Sequence, residues 1–222
     1  MYSKNWIESL PEEICAAVKS RMGDLTLTDG EAVYHRGDYS TEQYLIISGE
    51  VRITLNSWDG REMLCINFQP GDSFGETSAL DSGVRPHDAI AHGATQLSVL
   101  RQKDMNELRV QYPQIETALV SFLCGRSRML FAISADATLL DLPNHMASRL
   151  VALLDQYSDS SQGRVQQDLK LTHQELAQMM GASRQGVSKI LKQWEAQGLI
   201  EISYGYISLR DTEGLKILAE QY

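Results

Sequence analysis

The apolar residues change their spacing once along the 222-residue chain, near Asp104, and this change restricts the fold more than any other feature. From about Leu25 to Leu100 the apolar runs are short and alternating, as in Tyr44–Ile47, Val51–Leu55 and Gln96–Leu100, and glycines from Gly30 to Gly93 punctuate them. Glycine supplies the positive-φ positions of tight turns, and turn signals about every 10 residues predict an all-β sandwich or roll. Beyond Asp104 the spacing becomes helical. Ile115, Leu119, Phe122, Met129 and Ile133 form one stripe, with Arg126 at the position between Phe122 and Met129. Such a stripe suits either a long helix packed on the β-domain or the seam of a two-stranded coiled coil. Pro143 restricts Leu142, so the helix is expected to end near Asp141. The last third reads as helical and then closes in short strands. Ile200–Ser203, a turn at Tyr204 and Gly205, and Tyr206–Leu209 predict a small hairpin. Tyr157–Gly163 reads as a polar loop.

With 43% hydrophobic and 22% charged residues, the chain can build a core and is not expected to be disordered. No apolar run reaches the roughly 18 residues of a membrane helix. Ala118–Ile133 comes nearest and is interrupted by Arg126 and Arg128. The first residues lack a hydrophobic secretion core, and the three cysteines, Cys15, Cys65 and Cys124, are odd in number and far apart. These features predict a cytoplasmic protein without a disulfide framework and with no membrane partner. The net charge of −9 argues against a nucleic-acid partner only as a sum. Residues 1–142 hold 12 Lys/Arg against 20 Asp/Glu, whereas residues 143–222 hold 8 against 9. Ser183–Lys192 contains three cations and no acid, and a local basic stripe matters more to phosphate than the total.

That stripe lies in a segment with a strong local pattern. Thr172 and Glu175 form a capping box at the start of a helix whose apolar side is Leu176, Met179 and Met180. Gly181 suits a left-handed turn, and Ser183 caps a second helix, Arg184–Ala196, with Val187, Ile190, Leu191 and Trp194 inward. Two short helices joined by about three residues make a helix-turn-helix pattern, for which the hairpin would be a wing. The second helix would enter the major groove. Arg184, Gln185, Ser188, Lys189 and Lys192 then point outward, where arginine can fork onto guanine and glutamine onto adenine. Thr172 and Ser183 join them as candidate DNA-contacting residues. An ordinary helical hairpin with a solvated cationic face is the competing reading.

Leu171–Ile200 also resembles the DNA-binding segment of the cyclic-AMP receptor protein and fumarate-nitrate regulator (Crp/Fnr) family. The similarity extends upstream to Tyr44–Ile53, Pro70–Asp72, Gly71–Glu76 and Asp141–Pro143, in the family's order and spacing. It implies an α+β chain with a cyclic-nucleotide-binding-like β-roll that senses an effector (residues 1–104), a long dimerising helix (105–140) and a winged helix-turn-helix (141–222). A homodimer would then meet a near-palindromic site with half-sites about 34 Å apart. Its partners would be double-stranded DNA and, for an activator, RNA polymerase.

The family's nucleotide turn is matched by Gly75, Glu76 and Arg85, with Thr77 and Pro86 alongside. Pro86 stands where the family has serine, which removes a hydroxyl and an amide N–H. Counted from Pro113, Leu130 and Phe131 replace the hydroxyl side chains that meet the base. Hydrogen bonds to charged groups contribute about 1.5–3 kcal/mol each, so losing two would weaken cyclic AMP binding roughly 10²- to 10⁴-fold. A different small effector is the reading these departures favour, with ligand-independent action as the other course. A Glu76–Arg85 salt bridge that merely stabilises the roll is the structural alternative for that pair. An iron–sulfur cluster is not expected without a cysteine cluster, and no other metal site is predicted. Haem would rest on single histidines, because His87 and His92, five apart, would face opposite ways on one strand. No nucleophile elbow, P-loop, zinc-protease or dinucleotide-binding pattern occurs, so an enzyme is not expected. The alternative function is an effector-binding regulatory subunit acting through protein partners rather than DNA.

Overall fold

In the computed structural model, residues 4–157 and 168–219 are described. The polar loop predicted at Tyr157–Gly163 falls almost wholly outside them. The chain forms two compact units, residues 1–128 and 129–222.

The first unit opens with a 3-10 turn, Ile7–Ser9, and helix α1, Glu12–Ser20. Strands β1 (Gly23–Leu27), β2 (Ala32–Tyr34), β3 (Gln43–Asn56), β4 (Glu62–Phe68) and β5 (Ser73–Phe74) follow, then the short helix α2 (Glu76–Asp81) and strand β6 (Asp88–Leu100). All pairings are antiparallel, in the order β1-β6-β3-β4, with β2 on β6 and β5 on β3. Strands as long as β3 and β6 must bend, and their register shifts twice around Ser48. Gly49 makes the bend: its φ is +81°, and a Cβ there would lie 2.5 Å from the Ala94 carbonyl oxygen. The β-roll expectation agrees with this sheet.

Two helices then occupy the region expected to be one helix over 105–140. Helix α3 spans Gln102–Gln111 and α4 spans Gln114–Leu139. Pro113 separates them, since it restricts Tyr112 and has no amide to continue the first helix. The first three residues of the apolar stripe are covered within this unit, whereas Met129 and Ile133 are only half-buried. Ile115, Leu119 and Phe122 are buried with Trp6, Ile14, Val18, Leu45, Leu100, Met105 and Leu108 in this unit's own core. The beginning of α4 therefore packs on the β-domain. Among the described residues, α4 is long and apolar enough by length and composition to cross a membrane, contrary to the expectation from the interrupted run. Its apolar residues divide, however, between that core and a second, exposed face. Val120 and Phe131 are 58% and 74% exposed, and with exposed Cys124 and Ser127 they fall at steps of 4, 3 and 4.

The second unit continues from α4 into α5, Leu142–Tyr157. Pro143 lies in the first turn of α5, where a missing N–H is harmless, and Asp141 Oδ1 accepts from the Asn144 amide at 3.0 Å. Strand β7 (Asp168–Lys170), helices α6 (His173–Met180) and α7 (Arg184–Ala196), strands β8 (Ile200–Ser203) and β9 (Tyr206–Leu209) and helix α8 (Thr212–Ala219) complete it. The hairpin is β8–β9, and β7 extends it into a sheet of order β7-β9-β8. The chain does not end in strands as expected. Helix α8 follows and packs on α5, burying Leu215.

Candidate nucleic-acid interface and effector site

Helix α6 starts as the sequence predicts. Thr172 Oγ1 accepts from the Glu175 amide at 3.2 Å, and the Glu175 carboxylate accepts from the Thr172 amide at 2.7 Å. Gly181 ends it at φ +59°, with the Ala182 amide donating to the Ala177 carbonyl at 3.0 Å. Ser183 Oγ then accepts from the Gly186 amide at 3.1 Å and opens α7. Thr172 and Ser183 are thus helix caps first. Val187, Leu191 and Trp194 are buried, whereas Ile190, expected with them, is only half-buried.

The opposite side of α7 carries the five predicted outward residues. Arg184, Gln185, Ser188, Lys189 and Lys192 line one recess of about 700 Å³. All but Ser188 are exposed; Ser188 is half-buried, and its hydroxyl lies 2.9 Å from His173 Nδ1. His173 escaped the sequence reading, since nothing local announces a contact 15 residues away. Glu195, at the far end of α7, accepts from the Ile202 amide at 3.0 Å and ties the hairpin to the helix. Tyr204, at the turn of the hairpin, is fully exposed beside Gly205, whose φ is +76°. A cationic helix face flanked by a projecting hairpin can dock in a major groove and touch the adjoining backbone.

In the β-roll, the candidate effector residues do not form the salt bridge considered for Glu76 and Arg85. Arg85 is 1% exposed. Its Nη1 donates to the Gly75 carbonyl at 2.9 Å, Nη2 to the Glu42 carbonyl at 2.6 Å, and Nε and Nη2 to Ser40 Oγ at 3.0 and 2.7 Å. Its guanidinium also lies over the Tyr34 ring, 4.2 Å from the centroid. Gly75, at φ +88°, allows this approach, because a Cβ there would meet Arg85 Nη1 at 2.9 Å.

Glu76 pairs instead with Arg126 of α4, at 3.8 Å. Arg126 sits against the Phe68 and Phe122 rings and donates to the Ser73 carbonyl at 2.6 Å. Around this pair, Glu76 Oε2, Ser73 Oγ, Arg126 Nε, Tyr34 OH and His87 Nδ1 are buried without hydrogen-bond partners among the described residues. Burial pushes the Tyr34 phenol up and the His87 imidazole down, the latter helped by Arg85 and Arg126. Buried polar atoms are ordinarily satisfied, so a group of orphans between aromatic walls is what a small polar ligand would complete. Thr77 and Pro86 are exposed at the edge of this region. Leu130 and Phe131 are exposed on α4, at 59% and 74%.

Two family models match the chain: the Crp-like helix-turn-helix domain over residues 145–218 and the cyclic nucleotide-binding domain over residues 25–112. The chain belongs to the Crp/Fnr family. Among Crp/Fnr relatives, a CRP-like cAMP-activated global transcriptional regulator of Mycobacterium tuberculosis is 29% identical over 200 residues, 90% of this chain and 89% of the relative. The solved catabolite activator protein of Thermus thermophilus is 27% identical, with a TM-score of 0.54 over 96% of this chain and 97% of that one. FixK2 of Bradyrhizobium japonicum, 18% identical, shares the Crp/Fnr fold with a TM-score of 0.77 over 90% of this chain and 98% of its own.

Proposed function

We propose that the chain acts as a sequence-specific, DNA-binding transcription regulator of the Crp/Fnr type. The observation that carries this reading is the face of α7, where Arg184, Gln185, Lys189 and Lys192 stand exposed around one recess. Arg184 and Gln185, in the first turn, would read base edges, Ser188 and Lys189 would follow the groove, and Lys192 would meet phosphate. Thr172 and Ser183 would present their helix ends to the backbone. Residues 141–222 would form the DNA-binding part, residues 1–104 the sensing part, and residues 105–140 the link between them.

A cytoplasmic homodimer on a near-palindromic site fits the exposed stripe of Val120, Cys124, Ser127 and Phe131, whose spacing is that of a coiled-coil seam. RNA polymerase is the further partner of an activator. A mobility-shift assay with promoter fragments tests the central reading. Retarded, sequence-dependent complexes are expected, and binding of the chain only to protein would replace it with the regulatory-subunit alternative.

For the effector, we propose a small molecule other than cyclic AMP, held against Glu76 and Arg126. Arg85 is committed to protein oxygens, and Pro86 supplies no amide, so a cyclic phosphate finds few donors. Cyclic AMP should bind no tighter than about 100 μM, a micromolar site weakened by the lower estimate above. A micromolar dissociation constant by calorimetry would contradict this and return Arg85 to the phosphate.

A further inference from the structure

His173 stands at the first turn of α6, on the helix that crosses the DNA backbone when its neighbour enters the major groove. Its Nδ1 is 2.9 Å from Ser188 Oγ, and no partner holds Nε2 among the described residues. The charged groups that bear on it come from α7: Arg184, Lys192 and, with opposite sign, Glu195. On α6 itself, the Glu175 carboxylate is turned back to the Thr172 amide. We infer that His173 is a DNA-backbone contact that takes up a proton as the duplex binds, while its bond to Ser188 positions the recognition helix. This inference rests on the DNA-binding reading of α7.

The chemistry runs through the two ring nitrogens. A neutral imidazole donates from only one of them, whereas the imidazolium donates from both. In the free protein, partial burial, then the nearby Arg184 and Lys192, hold His173 below its ordinary range, so the ring is neutral near pH 7. A phosphate brought alongside reverses the local field and offers an acceptor for the free nitrogen. The ring can then donate to Ser188 from Nδ1 and to phosphate from Nε2. Because the complex holds this proton more tightly than the free protein does, affinity rises as pH falls between the two pKa values.

The test uses the full chain and a duplex recovered from a randomised pool by the wild type, at constant ionic strength. Its dissociation constant should be about threefold or more tighter near pH 6 than near pH 8, the range in which histidine titrates. His173→Gln keeps a hydrogen-bonding group for Ser188 but cannot titrate. It should lose the pH dependence, the ratio of its dissociation constants near pH 8 and near pH 6 falling to about one, although His145 in the same unit is retained. Calorimetry of the wild type in two buffers of different ionisation enthalpy should register fractional proton uptake on binding, a reading independent of whether the variant folds. A flat wild-type profile, a variant that keeps the slope, or no proton uptake would each overturn the role of His173. Failure of the wild type to select any duplex would instead overturn the DNA-binding reading itself.

Discussion

In the first unit, Arg85 is buried among carbonyl oxygens and aromatic rings, and Arg126 of α4 is largely covered by the Ser73 carbonyl and the Phe68 and Phe122 rings, with Glu76 the carboxylate that faces it. In the helix-turn-helix, Arg184, Lys189 and Lys192 stand in solvent, and no carboxylate pairs with them among the described residues. A buried charge must be compensated by the fold itself, so its partners report first on stability. An exposed cation without a partner adds little to stability but is free to displace counterions from phosphate. The same residue types thus serve structure in one unit and recognition in the other.

Substitutions should separate the two. The largest effect is expected where α4 meets the roll. Arg126→Ala leaves the Glu76 carboxylate buried and unpaired, and should destabilise the protein by about 3–5 kcal/mol in denaturant unfolding. Adding Glu76→Gln should recover much of that loss, because the charge left behind is then gone. If Arg126→Ala unfolds like the wild type, the pair is not compensating a buried charge. On α7, Arg184→Ala should leave unfolding unchanged within about 0.5 kcal/mol, since the side chain is exposed, yet lose about 1–3 kcal/mol of affinity for the selected duplex. Lys192→Ala should have the smallest effect. It should weaken every sequence alike and lower the slope of log K against log salt by about one, measured by titration at several salt concentrations. A stability loss in either α7 variant that rivals Arg126→Ala would erase the contrast.

What was legible in the sequence follows from the range of the interactions. The capping box at Thr172, the left-handed Gly181 and the outward set on α7 depend on residues at most a few positions apart, and all have the predicted form. The hairpin at Tyr204 and Gly205 is local in the same way. The Glu76–Arg126 pair joins residues on separate elements, and periodicity alone could not foretell it. What covers the stripe on α4 is non-local in the same way. A stripe of Ile115, Leu119 and Phe122 shows that one side of α4 is covered, but not by what. The cover proves to be Trp6, α1 and α3, elements that carry no motif. Helix α8 and strand β7 were also missed, being short and stabilised chiefly by packing on α5 and β9.

The central claim, that α7 reads bases, is tested most directly by binding-site selection on the wild type, Arg184→Ala and Gln185→Glu. Glutamine can donate to and accept from adenine, whereas glutamate accepts from the cytosine amino group. The wild type should return a near-palindromic consensus. Arg184→Ala should lose preference at one base pair of each half-site, and Gln185→Glu should shift a neighbouring position toward cytosine. An identical consensus from all three proteins would show that this helix does not read bases, and the assignment of the recognition face would fall.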